Sequence, residues 1–522
     1  MYNQGLFHKW VPKLVGITLI IVLDAVILFI NPFNAGNIGH MTSSTGIITE
    51  YYMWGSFATI IGMALVLPFA MRIKLRFRTK ELLLTTYIVM AIMTMVVALT
   101  SSGEIVVVAC LIFGIAKMFG MNELLLPIMG LLGGDRKRFY AVYYPIALSS
   151  GQLSTFLTSN LSLNVGWQEL HYYAAAILLL AGMICVIFVH NKHYTKVMPF
   201  ICIDWLGLFF FGTALMSMAY IFAFGKQQDW FNSPYIFRAA VFVIVSIGAL
   251  VIRDLNIKRP LLSFKLYKIK DVRYGIVLLV AQGMYMGISV IMSTYTSAGL
   301  GYNWMTNGAV GLMTLPGIFL AGFVAFHWTK NRVPLKMYIF SGFAAYFLYT
   351  VMLYFMMVPE LNISQLYLPQ LLNGYGMCAL FISIWIYALD KVPLNSMIQS
   401  VAPVMVFRSF VMMAFFTSLF GWLIYKFQWQ SIGDLASSID SLTTSHNPGV
   451  GSLRDIQIDA VMASCKKLLG YIIIAGLGIL TFVLFHQFGR LKYRIAEVQA
   501  YQAGKKKQPV LAEQIMDIAG SI

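Results

Sequence analysis

Lys117 and Glu123 stand inside the stretch 104–133, EIVVVACLIFGIAKMFGMNELLLPIMGLLG, which is otherwise apolar and long enough to cross a bilayer. A charged group near the middle of a membrane helix costs about 2.5–3.5 kcal/mol on insertion scales, so such residues usually face a protein-lined cavity and act there on ions or polar ligands. The competing reading makes both residues structural partners of other helices, or lets them snorkel to the interface. Two more charges fall in apolar runs: Asp24 in VLDAVILFI and Arg408 in VFRSFVMMAF. Counted along their helices, Asp24 lies about 18 Å and Arg408 about 16 Å from one membrane face, with Lys117 near the middle of its own span. Charges of both signs at one depth imply a polar centre at the midplane, where secondary transporters hold substrate and coupling ions. Proton coupling needs a carboxylate that burial keeps protonated and an approaching cation ionises, so that proton and substrate compete for it. Asp24 is the first candidate for proton coupling and Glu123 the second. Lys117 or Arg408 is the counter-charge, or binds substrate. The alternative for Asp24 is a static salt bridge that fixes helix packing.

The elements that carry these residues follow from composition. With 59% hydrophobic and 11% charged residues over 522 positions, and a mean hydropathy of +0.77, the chain reads as an all-α polytopic membrane protein. Spans of about 20 apolar residues predict fourteen transmembrane helices, near 11–31, 48–71, 82–100, 104–133, 139–163, 170–190, 200–224, 235–252, 271–298, 305–328, 335–358, 364–389, 397–425 and 468–488. The first run is of full spanning length and reads as a retained helix, not a cleaved signal. The fifth is weakened by its Ser, Thr and Asn content.

Cytoplasmic loops should hold the excess of Lys and Arg, and the loops alternate accordingly. Clusters at 72–80, 136–138, 192–196, 253–273, 330–336 and beyond 490 fall on one side, while the other holds only Lys226, Arg238, Lys426, Arg454, Lys466 and Lys467. An even helix count with both termini cytoplasmic satisfies this alternation. The basic balance, with a pI near 9.5, therefore sets membrane orientation, and no nucleic-acid partner is expected. Cys110, Cys185, Cys202, Cys378 and Cys465 have no paired spacing, so neither disulfides nor a zinc site is expected. No Walker motif, other cofactor motif or soluble enzyme domain is present, which argues against an enzyme and against direct ATP drive. The polar segment 427–467 reads as a long outer loop, a docking surface or a solvated connector, with a short amphipathic helix near Arg454–Lys467. The basic tail 491–522 is expected to lie near anionic lipid headgroups in the cytoplasm.

Several segments resemble the fourteen-helix drug:proton antiporter branch of the major facilitator superfamily, of the EmrB and QacA kind. VLDAVILFINPF is similar to that branch's LDxTIVNVALP motif and places Asp24 on its acidic residue. Trp54 and Pro68 fall near the tryptophan and proline of its second helix. IDWLGL, with Asp204 and Gly207, resembles the start of its first extra central helix. FGKQQDWFNSPYI, with Asp229 and Trp230, resembles the turn between its two extra helices, and RPLLSFKLYKIKDVRYG the loop that follows. YLPQLLNGYGM resembles its PQxxxG helix at Pro369, Gln370 and Gly374, and VFRSFVMMAF places Arg408 on an intramembrane arginine.

The chain departs from the pattern at three places. The gating-loop motif G-x-L-x-D-R-x-G-R reads LPFAMRIKLRFR, where Arg72 or a neighbour keeps the charge. The RxxxG motif reads CLIFG, so Cys110 replaces the arginine while Gly114 remains, and Lys117, on nearly the same helix face, would stand in for it. The antiporter motif's Gly-Pro pair is replaced near Phe156 and Leu157.

The resemblance implies a major facilitator fold with an N-terminal six-helix bundle (1–196), two extra central helices (197–255) and a C-terminal six-helix bundle (256–490). It implies proton-coupled efflux of amphipathic or cationic small molecules across a bacterial inner membrane by alternating access. A periplasmic adaptor and an outer-membrane channel are the partners such proteins use. The cavity-lining helices offer Gln282, Tyr285, Asn373 and Trp385 as substrate-pocket residues among many adaptable Met and aromatic side chains. The alternatives are a proton-coupled importer or exporter of an anionic nutrient or chelate, favoured by Lys117 and Arg408, and a non-transporting sensor or scaffold.

Overall fold

The computed structural model describes residues 6–32, 38–74, 76–132, 136–191, 204–257, 261, 269–331, 334–389, 404–438, 453–486 and 488. The first ten helices are α1 (Lys13–Phe29), α2 (Ile38–Thr45), α3 (Thr49–Val66), α4 (Ala70–Lys74), α5 (Thr79–Leu99), α6 (Gly103–Leu131), α7 (Arg136–Asn164), α8 (Trp167–Phe188), α9 (Trp205–Phe224) and α10 (Pro234–Asn256). They continue with α11 (Lys270–Thr294), α12 (Trp304–Leu312), α13 (Leu315–Asn331), α14 (Leu335–Met356), α15 (Tyr367–Leu389), α16 (Met412–Ser438) and α17 (Leu453–Phe485). Two π-helical turns, Tyr295–Gly299 after α11 and Phe407–Val411 before α16, interrupt the regular winding. Among the described residues, extended pairing is limited to a bridge between Phe7 and Val189 at the end of α8.

Among the described residues, eleven helices are long and apolar enough to cross a membrane, with α12 and α13 forming one span over Trp304–Trp328. The chain is therefore a multi-pass membrane protein. The expected fourteen is not reached by this measure, for local reasons. α1 has 17 residues, α3 opens on Thr49, Glu50, Tyr51 and Tyr52, and α7 carries the polar run already noted in the fifth span. All three nonetheless pack within the bundle, α1 on α6 and α7, and α3 on α6 and α9. Outward faces are apolar: on α10 only Ile236, Ser246 and Leu250 are buried, which suits a helix that lies against lipid.

Of the segment 427–467, read from sequence as an outer loop, the described residues 427–438 and 453–467 are helical, while 439–452 lie outside the described residues. α16 continues to Ser438, and α17 is one helix of 33 residues from Leu453, about 50 Å long against a hydrocarbon core of about 30 Å. Its first turns hold because Ala460, Val461, Ser464, Cys465 and Leu468 form a buried stripe at helical spacing that packs on α14, α16 and the turn 295–299. The tail 491–522 and Cys202 lie outside the described residues.

Two large apolar cores organise the molecule, one built from residues before 190 and the other from residues after 271. Each half of the chain contains a helix pair locked by reciprocal glycines. A Cβ on Gly114 of α6 would overlap the Thr59 carbonyl oxygen, and one on Gly62 of α3 would overlap that of Leu111. The same pattern recurs where α13 meets α15: a Cβ on Gly374 would overlap the Thr314 carbonyl oxygen, and one on Gly317 that of Leu371. Small residues let membrane helices approach backbone to backbone, which supplies the packing that hydrophobicity cannot supply in lipid.

Seams join the two cores. Ile61, Phe211 and Phe410 share one cluster, which links α3 and α9 to the Phe407–Val411 turn. Ala141 of α7 joins Ile318 and Ile382 in another. The helices α9 and α10 pair through a turn in which Asp229 and Trp230 take φ of 53° and 52°, a left-handed geometry unusual for a bulky residue. At their other ends Asp204 caps α9: its Oδ1 accepts from Gly207 N at 2.9 Å and from Arg253 Nε of α10 at 2.7 Å. Asp204→Ala should lower stability by about 1–2 kcal/mol through the lost cap and ion pair. Thermal unfolding of the detergent-purified protein measures this, and an unchanged midpoint would remove the cap from the account.

Candidate functional site

Asp24 sits about three turns into α1, is 5% exposed, and its Oδ1 has no hydrogen-bond partner. No ion pair within 4.0 Å joins it to a cation among the described residues. Lys117, on α6, is equally buried and lies within electrostatic reach of Asp24. Its ammonium donates instead to the Ile30 carbonyl at 3.0 Å and to Asn31 Oδ1 at 2.6 Å. Ile30 is the C-cap of α1, so the cation rests at the negative end of that helix. The Asn31-Pro32 step explains why α1 stops there, since a residue before proline is driven out of helical geometry.

Asp24 also acts electrostatically on the Tyr143 hydroxyl of α7, another buried group with no hydrogen-bond partner. Tyr140, Tyr143 and Tyr144 share one face of α7 by their i, i+3, i+4 spacing. Tyr143 stacks on Phe139 at 5.0 Å and clusters with Leu28 of α1. Tyr144 lies 6.4 Å from Tyr143 and 6.2 Å from Phe381, and Tyr140 lies 6.4 Å from Trp385. These tyrosines thus connect the helix of Asp24 to α15.

Arg408 lies at the far end of that path, 6% exposed, in the π-helical turn before α16. Its guanidinium carbon is 4.4 Å from the ring centre of Phe381, 4.6 Å from that of Trp385 and 5.1 Å from that of Tyr144. It donates at long range, 3.4 Å to the Phe381 carbonyl and 3.5 Å to the Tyr144 hydroxyl, and its Nε has no acceptor. Among the described residues no carboxylate pairs with it. Each ring contact contributes roughly 0.5–2 kcal/mol, while withdrawing an ion from water costs several kcal/mol. The box therefore holds a charge that its walls only partly compensate.

The remaining candidates divide. Glu123 pairs with Lys74 of α4 at 3.4 Å, and Lys74 also reaches the Asn122 carbonyl at 3.5 Å. Arg72, the expected gating residue, is half-buried on the same short helix. Glu123 thus braces the connection after α3, apart from the ammonium of Lys117. Trp385 joins the Arg408 box, with its Nε1 unpartnered. Gln282 is buried on α11 with both amide atoms unpartnered, and the adjacent Gly283 abuts Met412 at the end of the π turn. Tyr285 stacks on Tyr346 at 5.0 Å inside the second core, and Asn373 donates to Gln370 at 3.1 Å. Neither touches Arg408. No group of three His, Cys, Asp or Glu among the described residues could hold a metal ion.

Sequence reasoning passed over the α7 tyrosines, Asn31 and Lys74. The YAVYYP spacing was a usable signal for the tyrosines. Nothing in sequence announces that Asn31, beyond the end of α1, would receive an ammonium from α6.

No family model matches the chain. It is 26% identical over 179 residues to EmrY of Escherichia coli (strain K12), named for multidrug resistance, and 22% identical over 196 residues to the fatty acid resistance protein FarB of Neisseria gonorrhoeae. These matches take in 33% and 37% of this chain and only 33% and 38% of the relatives' own lengths. The crystal structure of the nucleoside transporter NupG superposes with a TM-score of 0.52 at 11% identity, over 90% of this chain and 99% of that one. That likeness speaks for the fold alone. The relatives are named for multidrug and fatty acid resistance and the superposed structure for nucleoside transport, and the resemblance carried by Asp24, Gly374 and Arg408 agrees with them: over about a third of its length the chain is similar to proteins of the drug efflux branch of the major facilitator superfamily.

Proposed function

We propose that the chain is a secondary active transporter that exports amphipathic small molecules in exchange for protons across a bacterial inner membrane. The carrying observation is Asp24: a buried carboxyl whose Oδ1 has no partner, within reach of the Lys117 charge and the Tyr143 hydroxyl. A carboxyl in such a place is free to take up and release a proton as the surrounding charge changes. In this reading the eleven apolar helices together with α1, α3 and α7 make fourteen spans, with both termini cytoplasmic. The bundles 1–196 and 256–490 rock against each other about the α7 and Phe407–Val411 seams, with the central helices of 197–255 between them. The relatives' names for multidrug and fatty acid resistance support efflux as the direction, and EmrB-type kinship supports a periplasmic adaptor and an outer-membrane channel as partners.

The test is proton exchange on adding a panel of lipophilic cations and organic anions to the detergent-purified protein in weak buffer. At least one compound that binds should shift the pH of the wild type, and Asp24→Asn should abolish the shift while retaining binding. Binding without proton exchange in the wild type, or undiminished exchange in Asp24→Asn, would overturn the assignment.

A further inference from the structure

We infer that His171 is a proton-binding site: carrying a proton on each ring nitrogen it ties the second turn of α8 to the end of α1, and loss of one proton releases that tie. This goes beyond the transport reading above and does not depend on it.

Both ring nitrogens of His171 face carbonyl oxygens. Nδ1 lies 2.8 Å from the Trp167 oxygen in its own helix, and Nε2 lies 3.1 Å from the Pro32 oxygen beyond α1. A carbonyl oxygen only accepts, so each nitrogen must donate, and a neutral imidazole has one N–H to give. Only the imidazolium makes both bonds. The residue is 4% exposed, so no bulk water compensates the nitrogen that a neutral ring would leave against an oxygen.

The end of α1 suits a bound cation. α1 stops at Phe29, and the last carbonyls of a helix have no partner within it. Three other helices supply the donors in turn. Ser154 Oγ of α7 donates to the Phe29 oxygen at 2.8 Å, Lys117 of α6 to the Ile30 oxygen at 3.0 Å, and His171 of α8 to the Pro32 oxygen. The negative end of the α1 dipole favours positive charge here. His171 therefore holds the same chain end on which Lys117 rests, and Lys117 is the cation within reach of Asp24.

The other titratable groups leave the ring to these partners. α5 and α7 pack on α8, and Lys80 at the start of α5 donates to the Val186 carbonyl near the end of α8, so the end of α5 lies beside His171. That end has no titratable residue from Ile88 to Leu99, and α7 has none from Pro145 to Asn164. α1 brings Asp24, eight positions before Pro32. Tyr52 and Cys110 share a cluster with Trp167, the Tyr52 hydroxyl bonding Thr45 at 2.8 Å, while His40 faces Trp304 at 5.5 Å. Glu169 is exposed and, two positions back on α8, points away from the ring. The proton thus answers to the two carbonyls, to Lys117 and to Asp24. The Trp167 bond is local to one helix and costs little ordering to keep, so the neutral ring should retain it and let Pro32 go.

Solid-state NMR of the full-length protein in lipid vesicles, with 15N in the histidine rings and 13C in the proline carbonyls, tests this. At about pH 5 one histidine should show two protonated nitrogens and a dipolar coupling to a proline carbonyl carbon. Between about pH 5 and about pH 8, where imidazole ordinarily changes charge, it should lose one proton and the coupling together. His171→Gln should remove both signals, which assigns them; should that variant not fold, the wild-type titration decides alone. A ring coupled to a proline carbonyl while one of its nitrogens is unprotonated overturns the proposal. So does the absence of any such coupling at every pH.

Discussion

Gly374→Val should leave little folded protein in the membrane, with a loss of at least about 3 kcal/mol of stability. Overpacking usually costs about 1–3 kcal/mol because neighbouring side chains can give way. Here the obstacle is the Thr314 carbonyl oxygen, a backbone atom that moves only if α13 and α15 separate. Separation would also open the reciprocal contact of Gly317 with Leu371. Gly114→Val should behave alike where α3 meets α6, with Thr59 and Leu111 playing the same parts. Gly478→Ala is the control, because a Cβ there meets nothing within 4 Å; as a residue in the interior of α17 it should be neutral, or stabilising by up to about 1 kcal/mol. Yield, size-exclusion profile and melting temperature of the three variants decide the matter. A Gly374→Val protein as stable as Gly478→Ala would mean that the two helices can part without cost.

These glycines show what the sequence reveals and what it conceals. Gly374 in YLPQLLNGYGM and Gly114 in CLIFG were visible as motif positions, because a glycine spaced after recognisable neighbours can be matched by eye. Their partners were not: Gly62 and Gly317 lie in apolar runs, ATIIGMALV and TLPGIFLAG, where hydropathy says nothing about which face meets another helix. The same limit governs the charged residues. Burial of Asp24, Lys117, Glu123 and Arg408 was legible, since each interrupts an apolar stretch. Their partners depend on tertiary packing, and so Lys74 at Glu123, Asn31 at Lys117 and the aromatic box at Arg408 were not. The outer segment misled for another reason. Its polar composition reads as loop, yet the buried stripe from Ala460 to Leu468 is enough to hold the first turns of α17 as helix.

Lys117→Met should destabilise the protein by about 3–5 kcal/mol, the cost of removing one member of a buried set of charges. It strips the donor from the Ile30 carbonyl and Asn31 and leaves Asp24 without the cation in its reach. Asp24→Asn alone should change stability little, because Oδ1 has no partner to lose. The double variant is the informative one. With no carboxylate left to compensate, Lys117→Met in the Asp24→Asn background should cost at least about 1 kcal/mol less than in the wild type, a non-additivity measurable by a double-mutant cycle. Strict additivity would show that the two charges ignore each other and would deprive Asp24 of its counter-charge. Non-additivity together with lost proton exchange in every variant lacking Asp24 would separate two roles that one substitution confounds. Lys117 would then brace the end of α1 and set the electrostatics, while Asp24 carries the proton.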